Sequence, residues 1–183
     1  MKQLKIEHRH DFGNVLNDMG LVGAGAEVGC AYGGYAEIVL SNWKGRKYFM
    51  VDLWDNQPTD VYREDQSTVN FKSYWKQCSG MAENDSRISL IREASTNAAS
   101  YIADNSLDFV YIDANHSYEA VFADMNAWWS KVKSGGVFSG HDYYNDTNFP
   151  NFCEAKKAVD HWMSEHKFEF TTTSCSSWWF IKP

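Results

Sequence analysis

The sequence predicts an α/β fold with a mostly parallel sheet and helices on both faces of that sheet. Three observations support this prediction. Short apolar runs of strand length recur along the chain, stretches with helical periodicity separate them, and a glycine-rich turn follows the first run. This alternation is typical of βαβ units, in which a helix connects each strand to the next parallel one.

Five strand–helix units precede the C-terminal region. The predicted strands lie at residues 26–29, 48–52, 88–91, 107–112 and 137–139, and the pair Gly135-Gly136 is expected to break regular structure before the last of them. Predicted helices lie at residues 11–19, 35–40, 98–103 and 153–165. Two further helices are indicated by apolar stripes with a spacing of three and four residues. They carry Phe71, Tyr74, Trp75 and Cys78, and Val121, Phe122, Met125, Trp128 and Trp129.

Two final apolar runs, at residues 168–173 and 177–181, are separated by only a few residues. That connection is too short for a crossover helix, so we expect an antiparallel pair at the end of the sheet. A nicotinamide dehydrogenase domain would instead continue with a sixth parallel strand. The whole chain, residues 1–183, is therefore predicted to be one Rossmann-like domain, with an N-terminal helical segment (1–22) and a core (23–183).

Composition and charge argue against several classes of binding partner. The 183 residues carry a net charge of −7, which argues against binding of a long phosphate backbone. Four widely spaced cysteines show no zinc-site spacing and are expected to be free thiols in a reducing compartment. The N-terminal residues lack the apolar core of a signal peptide, and no apolar run reaches membrane-spanning length. These features predict a cytoplasmic protein that binds a small molecule rather than nucleic acid or membrane, and they leave open whether it forms a homodimer.

The glycine-rich turn after the first strand reads Glu27-Val-Gly-Cys-Ala-Tyr-Gly-Gly. Gly29 permits a tight turn, the small Ala31 lets the backbone approach a ligand, and Gly33 allows close packing of the next helix. Asp52 ends the second strand, where a carboxylate can accept hydrogen bonds from both hydroxyls of a ribose. The turn and Asp52 together predict a nucleoside site.

A second group of polar residues follows the fourth and fifth strands. Asp113 and His116 come after the fourth strand, and His141 and Asp142 come after the fifth. Because these strands are expected to be neighbours, the four side chains should meet in one cleft. An imidazole titrates near neutral pH, so His116 and His141 are both candidates for a general base.

At these motifs the chain resembles class I S-adenosylmethionine-dependent methyltransferases, whose first motif has the form acid-x-Gly-x-Gly/Ala-x-Gly. The motif Asp-x-x-His-Ser-Tyr-Glu, followed by Gly-His-Asp-Tyr, is similar to motifs of the small bacterial methyltransferases of family 24. More distantly, it is similar to metal-dependent sugar and catechol O-methyltransferases. The resemblance covers residues 26–144 and implies a seven-stranded sheet of order 3-2-1-4-5-7-6.

The resemblance also implies a set of cofactor-binding residues for S-adenosylmethionine, with Asp52 on the ribose and the two following residues near the adenine. The set comprises Glu27, Gly29, Ala31, Tyr32, Gly33, Asp52, Leu53, Trp54, Ala94, Ser95 and Asp113. One position departs from the family pattern, because Ala94 stands where relatives often carry an acid.

Metal-dependent relatives bind Mg²⁺ through residues that match Asp113, His141 and Asp142. His141 departs from that pattern, because relatives place an oxygen ligand there. A histidine suits Mn²⁺ or Fe²⁺ better than Mg²⁺. The resemblance therefore implies Mg²⁺ or Mn²⁺ as an optional second cofactor. Together with the two candidate bases, the predicted catalytic residues are Asp113, His116 and His141.

The main hypothesis is methyl transfer from S-adenosylmethionine to an oxygen of a small molecule or saccharide, with or without a divalent metal. Two alternatives remain open from the sequence. The same glycine turn occurs in nicotinamide-dependent oxidoreductases. A cofactor-binding accessory protein without turnover would account for the unusual Ala94 and His141.

Overall fold

The computed structural model describes residues 6–58, 62, 65–146 and 152–183. Seven strands form one sheet in the order β3-β2-β1-β4-β5-β7-β6. The strands are β1 (Ala24–Val28), β2 (Lys47–Asp52), β3 (Ile88–Arg92), β4 (Leu107–Ile112), β5 (Val132–Gly140), β6 (Thr171–Thr172) and β7 (Trp178–Ile181). The helices are α1 (Phe12–Asp18), α2 (Gly34–Asn42), α3 (Phe71–Asn84), α4 (Ser95–Ala98), α5 (Tyr118–Trp129) and α6 (Ala155–His166), with 3-10 turns at Arg9–Asp11 and Ala99–Tyr101.

The topology confirms the predicted fold. Strands β1 to β5 pair in parallel, and β7 pairs antiparallel with both β5 and β6. Parallel strands joined by helices bring all their carboxyl ends to the same edge of the sheet. That edge is where the candidate motifs follow β1, β2, β4 and β5.

The sheet has a hydrophobic core on each face, and the central strand β4 contributes to both. Every residue of β4 is buried, and successive side chains point to opposite faces. Phe109 and Tyr111 pack with α1 and α2 on one side, whereas Val110 and Ile112 pack with α5 and α6 on the other. A strand buried on both faces reads as a continuous apolar run, as residues 107–112 do.

The main departure from the predicted elements concerns the glycine pair, which lies within β5. The strand continues through Gly135 and Gly136, although its pairing with β4 shifts register between Leu107 and Phe109. Gly135 has a φ of +78°, which glycine adopts without strain, and its N–H donates to the carbonyl of Lys182. Pairing therefore continues with the C-terminal residues.

Other elements also differ in extent from their predicted ranges, most clearly α4 and β6. Helical structure after β3 begins at Ser95 rather than at residue 98, and β6 comprises only Thr171–Thr172. Among the described residues, none of the helices combines the length and apolar character needed to cross a bilayer.

Candidate active site

A cavity of about 630 Å³ opens at the carboxyl ends of β1, β2, β3 and β4. This volume falls in the usual range for small-molecule sites, and the position is where open α/β sheets bind their ligands. The walls come from the loops after these strands and from one side of α5. The lining residues include Glu27, Gly29, Ala31, Tyr32, Asp52, Leu53, Ala94, Ser95, Asp113, His116 and Asp124.

The turn after β1 is closely packed against the loop after β4. Gly29 has a φ of +90°, and a Cβ there would lie 2.1 Å from the carbonyl oxygen of Asp113. Its N–H donates to the carbonyl of Val51 at 2.8 Å. Gly33 precedes the first residue of α2 with a φ of +88°, and a Cβ there would meet the sulfur of Met81 at 2.6 Å. Gly29 thus sets the shape of the cavity floor, whereas Gly33 allows α2 to pack against α3.

Asp52 connects the loops after β1 and β2. One carboxylate oxygen accepts the N–H of Ala31 at 2.9 Å, and the other accepts the N–H of Trp54 at 2.8 Å. Burial raises the pKa of Asp52, and these backbone hydrogen bonds partly oppose that rise. Each carboxylate oxygen has a second lone pair, so Asp52 can shape both loops and still accept hydrogen bonds from a ligand.

Trp54 was predicted near the adenine, but its side chain is buried. It packs against Trp75 with ring centroids 5.0 Å apart, and its indole N–H donates to the carbonyl of Ala31 at 2.7 Å. Trp54 is not among the described residues that line the cavity. The side chain therefore holds the loop after β1 in place.

Glu27 is a buried acid at the cavity floor. Its carboxyl accepts a hydrogen bond from the hydroxyl of Tyr48 at 2.8 Å. Burial raises the pKa of Glu27 to about 8, although the Tyr48 hydrogen bond opposes this. The folded protein therefore favours the neutral form of Glu27 near neutral pH.

Replacement of Glu27 with glutamine should make stability less dependent on pH. A raised folded-state pKa means that the wild-type protein has its full stability below the ordinary glutamate pKa and loses stability as pH rises from about 4.5 to about 8. Glutamine keeps an acceptor for Tyr48 and has no charge to bury. We expect Glu27→Gln to be more stable than wild type by a few kcal/mol at pH 8.5, with that difference shrinking at pH 5. Urea unfolding at both pH values measures it, and an equal difference at both would contradict the prediction.

The loop after β3 forms the cavity wall opposite the glycine turn. The N–H of Ala94 donates to the carboxylate of Glu93 at 2.9 Å. The hydroxyl oxygen of Ser95 accepts from the indole N–H of Trp128 at 3.0 Å and also hydrogen-bonds the carboxyl of Asp124. Sequence reasoning missed Asp124, although a signal was available: it is an acid on the apolar stripe of α5.

The four residues predicted to converge after β4 and β5 do meet. Asp142 lies at the centre, with one carboxylate oxygen 2.8 Å from Nε2 of His116 and the other 3.0 Å from Nδ1 of His141. Asp113 Oδ1 lies 3.7 Å from Nε2 of His116 and 3.8 Å from Nδ1 of His141. Nε2 of His141 lies 2.9 Å from the carbonyl oxygen of Cys175. Because a carbonyl only accepts, Nε2 of His141 carries a proton and Nδ1 faces the carboxylates.

The charges in this cluster are mutually stabilised. Burial opposes ionisation of Asp142, but hydrogen bonds from His116 and His141 outweigh it and hold the pKa of Asp142 well below its ordinary value. Burial likewise lowers the pKa of His141, yet its hydrogen bond to Asp142 and the charges of Asp113 and Asp142 raise it overall. Asp142 is therefore an ionised carboxylate that orients two imidazoles.

Arg9 is a further site residue that the sequence did not indicate. Its Nη1 lies 3.6 Å from the carboxylate of Asp113, and its guanidinium lies 4.9 Å from the ring centroid of Tyr35. The N–H of Arg9 donates to the sulfur of Cys175 at 3.4 Å. The N-terminal segment and the β6–β7 hairpin thus meet beside the carboxylate cluster.

A family model described as "Methyltransferase domain", the family 24 group, matches residues 26–143. The chain belongs to this methyltransferase family. No curated protein matches the sequence at a significant level. The family assignment agrees with the resemblance inferred from the glycine turn and the motifs after β4 and β5.

Solved structures share the fold of this methyltransferase. The O-methyltransferase NovP has a TM-score of 0.69 at 14% identity, over 95% of this chain and 77% of that one. A Staphylococcus aureus protein described as a caffeoyl-CoA O-methyltransferase has a TM-score of 0.68 at 10% identity, over 98% and 85%. Spermidine synthase from Thermotoga maritima has a TM-score of 0.59 at 16% identity, over 95% and 59%. At these identities the likeness concerns the fold alone.

The predicted site residues of the methyltransferase fall into two groups. Gly33 and Trp54 are not among the described residues that line the cavity, and they pack beneath the loops after β1 and β2. His141 and Asp142 are likewise not among the described residues that line the cavity. Each lies behind a residue that does line it: Asp142 is 2.8 Å from His116, and His141 is 3.8 Å from Asp113. The remaining predicted residues line the cavity itself.

The donor set of the methyltransferase fits a divalent metal. One donor atom from each of Asp113, His141 and Asp142 lies within 4.8 Å of the other two. The carbonyl of Cys175 fixes the ring of His141, in the way that outer-shell groups orient metal-binding histidines. Two carboxylates and one imidazole suit Mn²⁺ or Fe²⁺.

Proposed function

We propose that this methyltransferase transfers a methyl group from S-adenosylmethionine to an oxygen atom of a small molecule or saccharide. One observation carries the proposal: a single cavity connects the ribose-type carboxylate Asp52 with the imidazole of His116. The O-methyltransferases among the structures of similar fold support the same class of acceptor.

The cofactor half of the proposed site extends along the ends of β1 and β2. Asp52 would accept hydrogen bonds from the ribose hydroxyls, and the turn at Gly29 lets the backbone approach the ligand closely. Asp113, at the end of β4, would accept a hydrogen bond from the ammonium group of the methionine part. The carboxylate of that part has a cationic partner in Arg9, which lines the same cavity.

In the acceptor half, an alcohol becomes a good nucleophile only when its proton is removed. His116 would accept the hydroxyl proton, and the ionised Asp142 would stabilise the resulting imidazolium. When bound, S-adenosylmethionine supplies a methyl group whose bond to sulfur breaks, leaving the electron pair on sulfur, as the acceptor oxygen forms the new carbon–oxygen bond. The proton remains on His116 until it passes to solvent.

We further propose that Asp113, His141 and Asp142 hold a divalent metal, preferably Mn²⁺. When bound, such an ion would lower the pKa of an acceptor hydroxyl and orient its oxygen. The protein residues would contribute the donor set and, through Cys175, the orientation of His141.

Calorimetric titration with S-adenosylhomocysteine tests the cofactor half. We expect saturable binding to wild type and an affinity about 10- to 100-fold lower for Asp52→Ala, because two hydrogen bonds to a charged acceptor are lost. Asp104→Asn, on an exposed acid that pairs with Lys131, is the matched control and should bind as wild type does. NADH is titrated in parallel. Saturable binding of NADH without binding of S-adenosylhomocysteine would overturn the proposal in favour of an oxidoreductase.

A further inference from the structure

Asp124 is a buried carboxyl on the cavity wall that the proposed chemistry does not use. It lies on α5 among the buried residues Val121, Met125 and Trp128 and is only 4% exposed. It also lines the cavity. A carboxyl in such surroundings is costly to bury without hydrogen-bond partners.

Among the described residues, the side-chain hydrogen-bond partner of the Asp124 carboxyl is Ser95. The oxygen of Ser95 accepts from the indole N–H of Trp128 at 3.0 Å, so the hydroxyl proton of Ser95 is directed to the carboxyl of Asp124. One hydroxyl donates a single hydrogen bond, whereas a carboxyl has two oxygens. The carboxyl therefore keeps hydrogen-bonding capacity for a ligand in the cavity that Asp124 lines.

The surroundings of Asp124 suit a flat ring. Ala94, Ala120 and Ala123 line the cavity beside it, and their small side chains leave space along the wall. This end of the cavity lies by the loop after β3, next to the β2 end that carries Asp52. A nucleoside with its ribose on Asp52 can thus reach the α5 wall with its base.

We propose that Asp124 recognises the adenine of the cofactor, donating from its carboxylic acid to N1 and accepting from the N6 amino group. This inference rests on the proposed function, since it concerns the base of S-adenosylmethionine.

The protonation state supports this pairing. Burial raises the pKa of Asp124 to about 7, although the Ser95 hydrogen bond opposes the rise. A neutral carboxyl offers one donor and one acceptor, which is the pattern complementary to N1 and N6 of adenine. The acids that line the cavity from the loops after β2 and β3 include Asp52, held by backbone amides, and Asp55, which lies 3.9 Å from Arg92. They also include Glu93, whose carboxylate accepts from Ala94 at 2.9 Å and from Asn97 at 3.4 Å, and Asp65.

The test compares S-adenosylhomocysteine with its 1-deaza analogue, in which a C–H group replaces N1 and cannot accept the hydrogen bond from Asp124. Both ligands are titrated into wild type, Asp124→Asn and Asp124→Ala at pH 6 and pH 8.5. We expect wild type to prefer the adenine compound by about tenfold or more at pH 6 and to lose much of that preference at pH 8.5. Asp124→Asn, whose amide offers the same donor and acceptor, should keep the preference at both pH values. Asp124→Ala should lose it.

The outcomes separate this inference from the proposed function. If wild type binds neither compound, the proposed function fails. If wild type binds the adenine compound and Asp124→Ala keeps the same preference, the role of Asp124 is wrong. Should Asp124→Ala fail to fold, Asp124→Asn decides: a pH dependence equal to that of wild type, or loss of binding by a folded protein, would overturn the inference. Thermal unfolding of each variant is measured alongside, with Asp104→Asn as the control for loss of one acid.

Discussion

Replacement of Asp142 with asparagine is expected to lower kcat for methyl transfer by about 10²- to 10³-fold while changing the affinity for S-adenosylhomocysteine by less than about twofold. Asparagine has no charge to stabilise the imidazolium of His116. It also offers a single oxygen to the two imidazoles that Asp142 now orients. The same change should weaken binding of Mn²⁺, because one of three donor groups is altered.

Asparagine is the right replacement because Asp142 has a φ of +55°. Asparagine adopts this left-handed region more readily than other non-glycine residues, so the fold should be retained. The measurements are release of S-adenosylhomocysteine over a panel of sugar and phenol acceptors and Mn²⁺ titration, with Asp104→Asn as the control. Unchanged kcat and unchanged Mn²⁺ affinity would show that Asp142 takes part neither in catalysis nor in metal binding.

Replacement of Gly29 with alanine should destabilise the protein by about 3–5 kcal/mol, which approaches the whole stability of many domains. Two costs combine. The added Cβ would lie 2.1 Å from the carbonyl oxygen of Asp113, and this contact is with backbone that cannot rotate away. The φ of +90° adds conformational strain for any residue with a Cβ.

Gly20 provides the matched control for Gly29. It also has a positive φ, +74°, but a Cβ there would meet nothing within 4 Å. Gly20→Ala should therefore cost only about 1–2 kcal/mol, the strain contribution alone. Urea unfolding of both variants measures the difference. Equal losses would mean that contact between the β1 and β4 loops contributes little.

The sheet was predictable because its determinants are local. The continuous apolar run of β4 and the short connection before β7 can each be recognised from a few consecutive residues. The predicted start of β5 was too late, because the strand continues through its glycine pair and Gly135 donates a hydrogen bond to Lys182, far along the chain. A residue's hydrogen-bond partner at long range is not visible in a local pattern.

Some residues of the candidate site could likewise be predicted from local sequence, whereas others depend on long-range packing. Asp52 and Asp113 could be placed from the sequence, because an acid at the end of a predicted strand must lie at the ligand edge of the sheet. Arg9 could not be placed, since its position depends on how the N-terminal segment folds back over the sheet. Asp124 was visible as an acid on an apolar stripe, but its link to Ser95 depends on the packing of α5 against α4.

The carbonyl of Cys175 that holds His141 has a consequence for how the protein matures. His141 is translated well before the hairpin that orients it, and β7 must insert beside β5 before that carbonyl is in position. A nascent chain released up to α6 would already contain the nucleoside turn, yet its second imidazole would have no fixed orientation. The orientation of His141 should therefore be fixed late in synthesis, once β7 has paired with β5.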